Sequence, residues 1–155
     1  MAKEIERKFL VDKNIFKPTG EGECIAQGYL SSMPERTVRV RIKNQCGYLT
    51  VKGKTDGISR SEFEYKIPES DAEELLRLCE PSIIVKRRYT VNVNGSIWEV
   101  DVFEGDNAGL VVAEIELQSE GEDFVKPDWL GAEVSFDAKY YNSNLSKNPY
   151  KLWKS

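Results

Sequence analysis

The chain contains no histidine among its 155 residues. That excludes a Ser-His-Asp or Cys-His device and any imidazole base, so chemistry must run on carboxylates, Tyr, Lys, Arg and bound metal. Cysteine is scarce. Cys24, Cys46 and Cys79 are odd in number, far apart and without ligand spacing, which argues against a disulfide framework or a zinc site and for reduced thiols in the cytoplasm. No apolar run approaches the ~18 residues of a membrane span, and the N-terminus opens on charges instead of an apolar leader core. Neither secretion nor membrane insertion is expected. An excess of positive charge is missing too: 22 basic and 26 acidic residues leave a formal charge of −4, so there is no overall basic footprint for nucleic acid and any anion site must be local. Internal repeats, linkers and low-complexity tracts are absent, and residues 1–155 read as one domain long enough to bury its own core. Nothing in the pattern specifies an oligomeric state.

What the chain does have is period-two alternation through its first two thirds. Strands are predicted at 3–11, 24–32, 36–43, 47–54, 60–67, 84–93, 96–104 and 110–118, eight in all and mostly antiparallel. Asn94-Gly95 suits a type I′ hairpin, and Gln45-Cys46-Gly47 and Asp56-Gly57 make workable turns. Ser70-Asp71-Ala72-Glu73 reads as a capping box opening a helix whose Leu75, Leu76, Leu78 and Cys79 form an apolar stripe before Pro81. A shorter helix is expected from Pro127 through Trp129 and Leu130, and a last one between Asp137 and Leu145.

The alternating strands share one grammar. Glu4-Ile5-Glu6-Arg7-Lys8, Val38-Arg39-Val40-Arg41-Ile42, Leu49-Thr50-Val51-Lys52, Glu62-Phe63-Glu64-Tyr65, Trp98-Glu99-Val100-Asp101 and Glu114-Ile115-Glu116-Leu117 each put charged or polar groups on one face and apolar groups on the other. A solvated face would mix its signs, since like charges side by side lose a few tenths of a kcal/mol. Here the signs are sorted: acids pair as Glu4/Glu6, Glu62/Glu64 and Glu114/Glu116, bases as Arg39/Arg41, Lys52/Lys54 and Lys86/Arg88. An acidic row suits a hard divalent cation such as Mg²⁺ or Mn²⁺. A basic row suits phosphate. Together they describe a site for a metal-bound polyphosphate.

Closing eight strands into a barrel with this face inward satisfies the geometry, because such a barrel encloses just enough room for side chains or one thin ligand. Burying that much charge is tolerable only if acids face bases across a wet lumen. Amphipathic helices would then cover the apolar exterior. In Lys86-Arg87-Arg88 a strand can send only two bases to one face, and the period selects Lys86 and Arg88. Lys54 follows Gly53 at a strand end and is equally readable as surface.

At these residues the sequence resembles the CYTH domains, also called triphosphate tunnel metalloenzymes. Glu4-Ile5-Glu6-Arg7-Lys8 is similar to that family's N-terminal Glu-x-Glu-x-Lys signature. Arg39-x-Arg41, Lys52, Glu62-x-Glu64, Lys86-Arg87-Arg88, Asp101, Glu114-x-Glu116, Val134-Ser135-Phe136-Asp137 and Tyr140-Tyr141-Asn142 follow in the family's order. The resemblance implies an eight-stranded antiparallel tunnel binding a triphosphate with Mg²⁺ or Mn²⁺. Inorganic triphosphatases, thiamine triphosphatases and class IV adenylate cyclases share it, and so short a chain resembles the minimal bacterial type, whose expected substrate is inorganic tripolyphosphate. On this reading Glu4, Glu6, Glu114 and Glu116 hold the cations, with Asp101 as a further ligand and Glu62 and Glu64 orienting water. Lys8, Arg39, Arg41, Lys52, Lys54, Lys86 and Arg88 grip phosphate. Tyr29, on the polar face beside Gln27, is a candidate base, while Tyr140, Asn142 and Trp153 are read as structural. A polyphosphate-binding module without turnover stands as the alternative of another class.

Overall fold

A computed structural model describes residues 3–153. Its strands are β1 (Lys3–Val11), β2 (Glu23–Met33), β3 (Arg36–Lys43), β4 (Cys46–Gly53), β5 (Ser59–Ile67), β6 (Glu80–Val93), β7 (Ser96–Phe103), β8 (Val111–Glu116) and the short β9 (Leu130–Glu133). The pairing runs β5-β4-β3-β2-β6-β7-β8-β1, all antiparallel, and β1 returns to β5 to close the barrel of eight. β1 manages two neighbours on one edge by dividing its length. Lys3, Glu4 and Ile5 pair with β5, and Phe9 and Val11 pair with β9, with a register shift between the two.

Turn chemistry follows the hand of the strands. Asn94 and Gly95 have φ of 50° and 88°, both left-handed, as a two-residue type I′ hairpin requires. The β3–β4 turn differs from expectation: Asn44 and Gln45 are the left-handed pair at φ 53° and 62°, and Cys46 already belongs to β4 opposite Lys43. Asn tolerates that region, so the turn sits one residue earlier than the glycine suggested.

The helix α1 (Glu69–Leu78) begins after Pro68, whose carbonyl accepts Ala72 N at 3.0 Å, with no side-chain cap. The expected cap, Ser70, is thus the second residue of the helix, two positions past Pro68. Ala72 is fully buried, Leu75 and Leu76 are half-buried and Leu78 is exposed. Gly47 is what lets α1 approach: a Cβ there would stand 2.7 Å from the Cβ of Ala72.

Only part of the exterior is covered by a helix. Over β1, β7 and β8 the cover is an irregular segment whose Phe124 and Trp129 pack on Phe9, Trp98, Val100, Ala113 and Ile115. Edge-on rings join Trp98 to Phe124 at 5.5 Å and to Trp129 at 5.7 Å, and each such buried side chain is worth roughly 1.5–3 kcal/mol. The helix expected from Pro127 is therefore absent. Residues 127–129 turn, and Leu130 enters β9 because the free edge of β1 offers it hydrogen bonds. The helix expected over 137–145 is broken into a 3₁₀ turn, Ala138–Tyr140, and a one-turn helix α2, Asn142–Leu145, with Tyr141 extended between them. A second cluster explains the break: Leu145, fully buried, joins Tyr29, Ile84, Phe103, Leu110 and Val112 at one end of the barrel. One continuous helix could not seat Leu145 there and also keep the backbone carbonyl of Tyr140 on Lys8 Nζ at 3.2 Å.

Candidate active site

The strands enclose a polar cavity of about 250 Å³, room for roughly eight waters at ~30 Å³ each. Every charged candidate except Asp101 and Lys54 lines it. The inward direction comes from register. Glu6 stands opposite Glu116, Lys8 opposite Glu114, Lys52 opposite Glu62 and Arg88 opposite Asp101, so alternation on each strand delivers its charged residues to the same side.

Acids and bases meet as ion pairs. Lys52 Nζ lies 3.2 Å from Glu4 Oε1 and 3.1 Å from Glu62 Oε2. Arg39 Nη2 reaches Glu64 Oε2 at 3.5 Å, and Thr50 Oγ1 donates to the same oxygen at 2.9 Å. Arg39 Nε is buried without a partner. Lys8 and Arg88 stand 3.8 and 3.7 Å from Glu114. Arg41 is different: its Nε donates to Gln27 Oε1 at 2.8 Å, and no described carboxylate lies within ion-pair distance of it.

Asp101 lies behind the wall, wholly buried. Lys86 Nζ donates to its Oδ2 at 2.7 Å, Arg88 Nε to Oδ1 at 2.7 Å and Arg88 Nη2 to Oδ2 at 2.9 Å. Both oxygens are engaged by cations, so its place is that of a counter-ion beneath the basic wall and not of a metal ligand. Lys54 needs a plainer correction. β4 ends at Gly53, the alternation ends with it, and Lys54 is exposed outside the cavity. Of the basic triplet, Lys86 and Arg88 are buried inward. Arg87 points out to Glu21 O at 2.8 Å and to Glu104 at 3.8 Å.

The electrostatics divide the cavity. Burial, opposed by Lys52 and reinforced by Glu62 and Glu114, lifts Glu4 to about 7. Burial together with Glu114 and Glu4 holds Glu6 well above its ordinary value. Burial acts against Glu114 as well, yet Lys8, a hydrogen bond from Glu6, and Arg88 keep it well below the usual carboxylate range. Glu62 likewise stays below its ordinary value despite burial, through its hydrogen bond with Glu4 and the charge of Lys52. Glu116, at the rim, is raised by burial and by Glu62 and Glu99. On the basic side, burial and then Arg39 and Arg88 lower Arg41 to about 9. Burial pulls Lys86 down to about 7 against the 2.7 Å contact with Asp101. A group of crowded, under-neutralised cations gains most from an anion.

The donor set also fits a hard divalent cation. The carboxyl of Glu4 is crowded by those of Glu62 and Glu114, and that of Glu6 by those of Glu114 and Glu4, which favours their protonated forms. Two such groups come together only around a proton or a cation. Among the described residues no three of them already converge as a ready cage, and much of this set is engaged by Lys8, Lys52 and Arg88.

Tyr29 lines the cavity but is buried in the apolar cluster, its hydroxyl accepting from Gln27 Nε2 at 3.5 Å. Sequence reasoning passed over the lining residues Arg60, Lys43, Thr37 and Glu99, gave Ser135 no role and read Asn142 as structural, although both line the cavity as well. Thr37, Lys43, Arg60 and Glu99 continue the alternation of their own strands and were legible from it. Asn142 was not, because only the return of the C-terminal segment brings it to Lys86 Nζ at 3.1 Å. Ser135 arrives the same way and accepts from Lys8 N at 2.9 Å.

This chain's likeness to known proteins agrees with that geometry. A model of the CYTH domain matches residues 2–149. A curated Acetivibrio thermocellus protein named inorganic triphosphatase is 52% identical over 155 residues, covering 99% of each chain. An inorganic triphosphatase of Nitrosomonas europaea is 35% identical over 150 residues, covering 92% of this chain and 96% of that one. The crystal structure of an inorganic triphosphatase superposes with a TM-score of 0.66 at 33% identity, covering 92% of this chain and 97% of that chain.

Proposed function

The chain belongs to the CYTH domain family, and from that premise we propose that it is a metal-dependent triphosphatase converting inorganic tripolyphosphate to pyrophosphate and orthophosphate. The observation that carries the reading is the sorted cavity: Arg39, Arg41, Lys86 and Arg88 buried together on one side, Glu4, Glu6, Glu114 and Glu116 on the other. Relatives named for the same activity support it.

Glu4, Glu6, Glu114 and Glu116 would hold the divalent cation, Mg²⁺ or Mn²⁺. When bound it supplies charge neutralisation at phosphate oxygens and a water more acidic than bulk. The chain's own side chains do the rest. Arg39, Arg41 and Arg88 present forked donors to non-bridging oxygens, Lys8, Lys52 and Lys86 add point charges, and together they offset the charge that develops on the leaving pyrophosphate. Glu64 hydrogen-bonds through Oε2 alone, which leaves Oε1 for orienting the attacking water, with Glu62 alongside. Free cysteines, and no described helix long and apolar enough to cross a membrane, fit a cytoplasmic enzyme acting on a small anion.

The experiment is phosphate release from tripolyphosphate with Mg²⁺ or Mn²⁺. Release should stop with chelator and in Glu116→Ala. ATP, thiamine triphosphate and long-chain polyphosphate belong in the same panel. Cyclic AMP from ATP would turn the assignment to a cyclase, and binding without release would turn it to a non-catalytic module.

A further inference from the structure

We propose that Gln27 and Asn142 are positioning residues: a neutral amide relay that aims Arg41 and Lys86 into the cavity while leaving the charge of Arg41 free for phosphate. This deepens the triphosphatase reading and rests on it.

The relay has one self-consistent polarity. Arg41 Nε can only donate, so the amide group of Gln27 that meets it at 2.8 Å is the oxygen. Gln27 Nε2 is thereby turned the other way, where it donates to Asn142 Oδ1 at 3.0 Å. That same oxygen accepts from Lys86 Nζ at 3.1 Å, and Lys86 also can only donate. A cation at each end thus sets the orientation of both amides, and neither could flip without placing donor against donor. Gln27 is fully buried, so water cannot substitute for a lost partner.

The choice of an amide matters because of what its neighbours use. Arg39, Lys52, Lys86 and Arg88 are oriented by carboxylates at 3.5, 3.2, 2.7 and 2.7 Å. A glutamate in place of Gln27 would accept the same hydrogen bond from Arg41 but would also cancel its charge. The neutral acceptor separates aiming from neutralising, and in a buried site with few counter-ions that difference is large. Asn142 opens α2, so the docking of the C-terminal segment and the aim of two phosphate-binding cations become one structural event.

The test is Gln27→Glu. Tripolyphosphate binding is measured by titration calorimetry in chelator, where no turnover occurs, beside a thermal melt of each protein. Affinity is expected to fall about tenfold or more, because one oxygen of the new carboxylate pairs with Arg41 and cancels its charge while the other meets Asn142 Oδ1 as acceptor against acceptor and breaks the relay. Wild-type affinity in the variant overturns the proposal, as does lost stability with unchanged affinity, which assigns Gln27 to packing alone. If Gln27→Glu does not fold, Asn142→Asp, at a half-buried site on the C-terminal segment, decides by the same two readouts. Wild-type protein that fails to bind tripolyphosphate removes the triphosphatase reading itself, and the relay with it. That outcome is distinct from a variant that binds as well as its parent.

Discussion

Replacing Asp101 by Asn tests whether the basic wall stands on a buried counter-ion. Asp101 is fully buried and takes three N–H donors, at 2.7, 2.7 and 2.9 Å, from Lys86 and Arg88. Asn is nearly isosteric, yet it keeps one acceptor oxygen and turns an NH₂ toward a cation. Lys86 then has no carboxylate partner among its described contacts, and Arg88 keeps Glu99 at 3.2 Å and Glu114 at 3.7 Å. Removing one partner of a buried pair costs about 3–5 kcal/mol. At ~2–4 °C per kcal/mol for a chain of this size, the melting temperature should fall by about 6–20 °C. Near-ultraviolet circular dichroism in chelator gives that number. Repeating the melt with tripolyphosphate should return more of the stability to the variant than to the wild type, because the anion answers cations the variant leaves unpaired. Mn²⁺ affinity should stay within about threefold of wild type, since neither Asp101 oxygen is free for a metal. A stability loss under about 1 kcal/mol would refute the counter-ion role. Loss of Mn²⁺ binding would return Asp101 to the ligands.

The other predictions concern separate parts of the molecule. Arg39→Lys keeps the charge but loses the planar guanidinium whose Nη2 reaches both Glu64 and Thr50 and whose Nε is left without a protein partner, so turnover of tripolyphosphate should drop by about tenfold or more. Near-normal kcat would take Arg39 out of the site. Lys54→Ala should leave both kcat and melting temperature unchanged, because the side chain lies outside the cavity. Gly47→Ala should cost about 1–3 kcal/mol in a denaturant titration, since the added methyl meets Ala72 at 2.7 Å. For pH, Glu4 is raised from 4.5 to about 7 in the fold. The native state therefore holds a proton the unfolded chain has lost, and metal-free stability should decline as pH rises from 4.5 through 7. Divalent-cation affinity should run the opposite way, strengthening with pH until Glu4 is ionised and levelling above about 7. A calorimetric profile with the reverse sign would remove Glu4 from the metal ligands.

Much of this protein was readable along the chain. Period two on eight strands, with acids and bases sorted two residues apart, is a local property, and local alternation is enough to say which side chains share a face. It placed Glu4, Glu6, Lys8, Arg39, Arg41, Lys52, Glu62, Glu64, Lys86, Arg88, Glu114 and Glu116 around one cavity. It also separated Arg87 from its neighbours in the basic triplet. It carried Lys54 inward beside Lys52 as well, but β4 and its alternation end at Gly53, and Lys54 lies exposed outside the cavity.

The three-dimensional arrangement decided what depends on partners distant in the chain. β9 replaces the helix expected after Pro127 because β1 presents a free edge there, and a 3₁₀ turn and α2 replace one C-terminal helix because Leu145 must reach the cluster around Ile84 and Phe103. Asp101 shares its strand face with Glu99, yet one is sealed under two cations and the other lines the cavity. Asn142 gains its place only when residues 140–145 settle across the end of the barrel. Charge pattern is written in neighbours two apart, whereas which charges are neutralised and which remain available is set by partners on other strands and segments, 14 positions apart for Gln27 and Arg41 and 115 for Gln27 and Asn142.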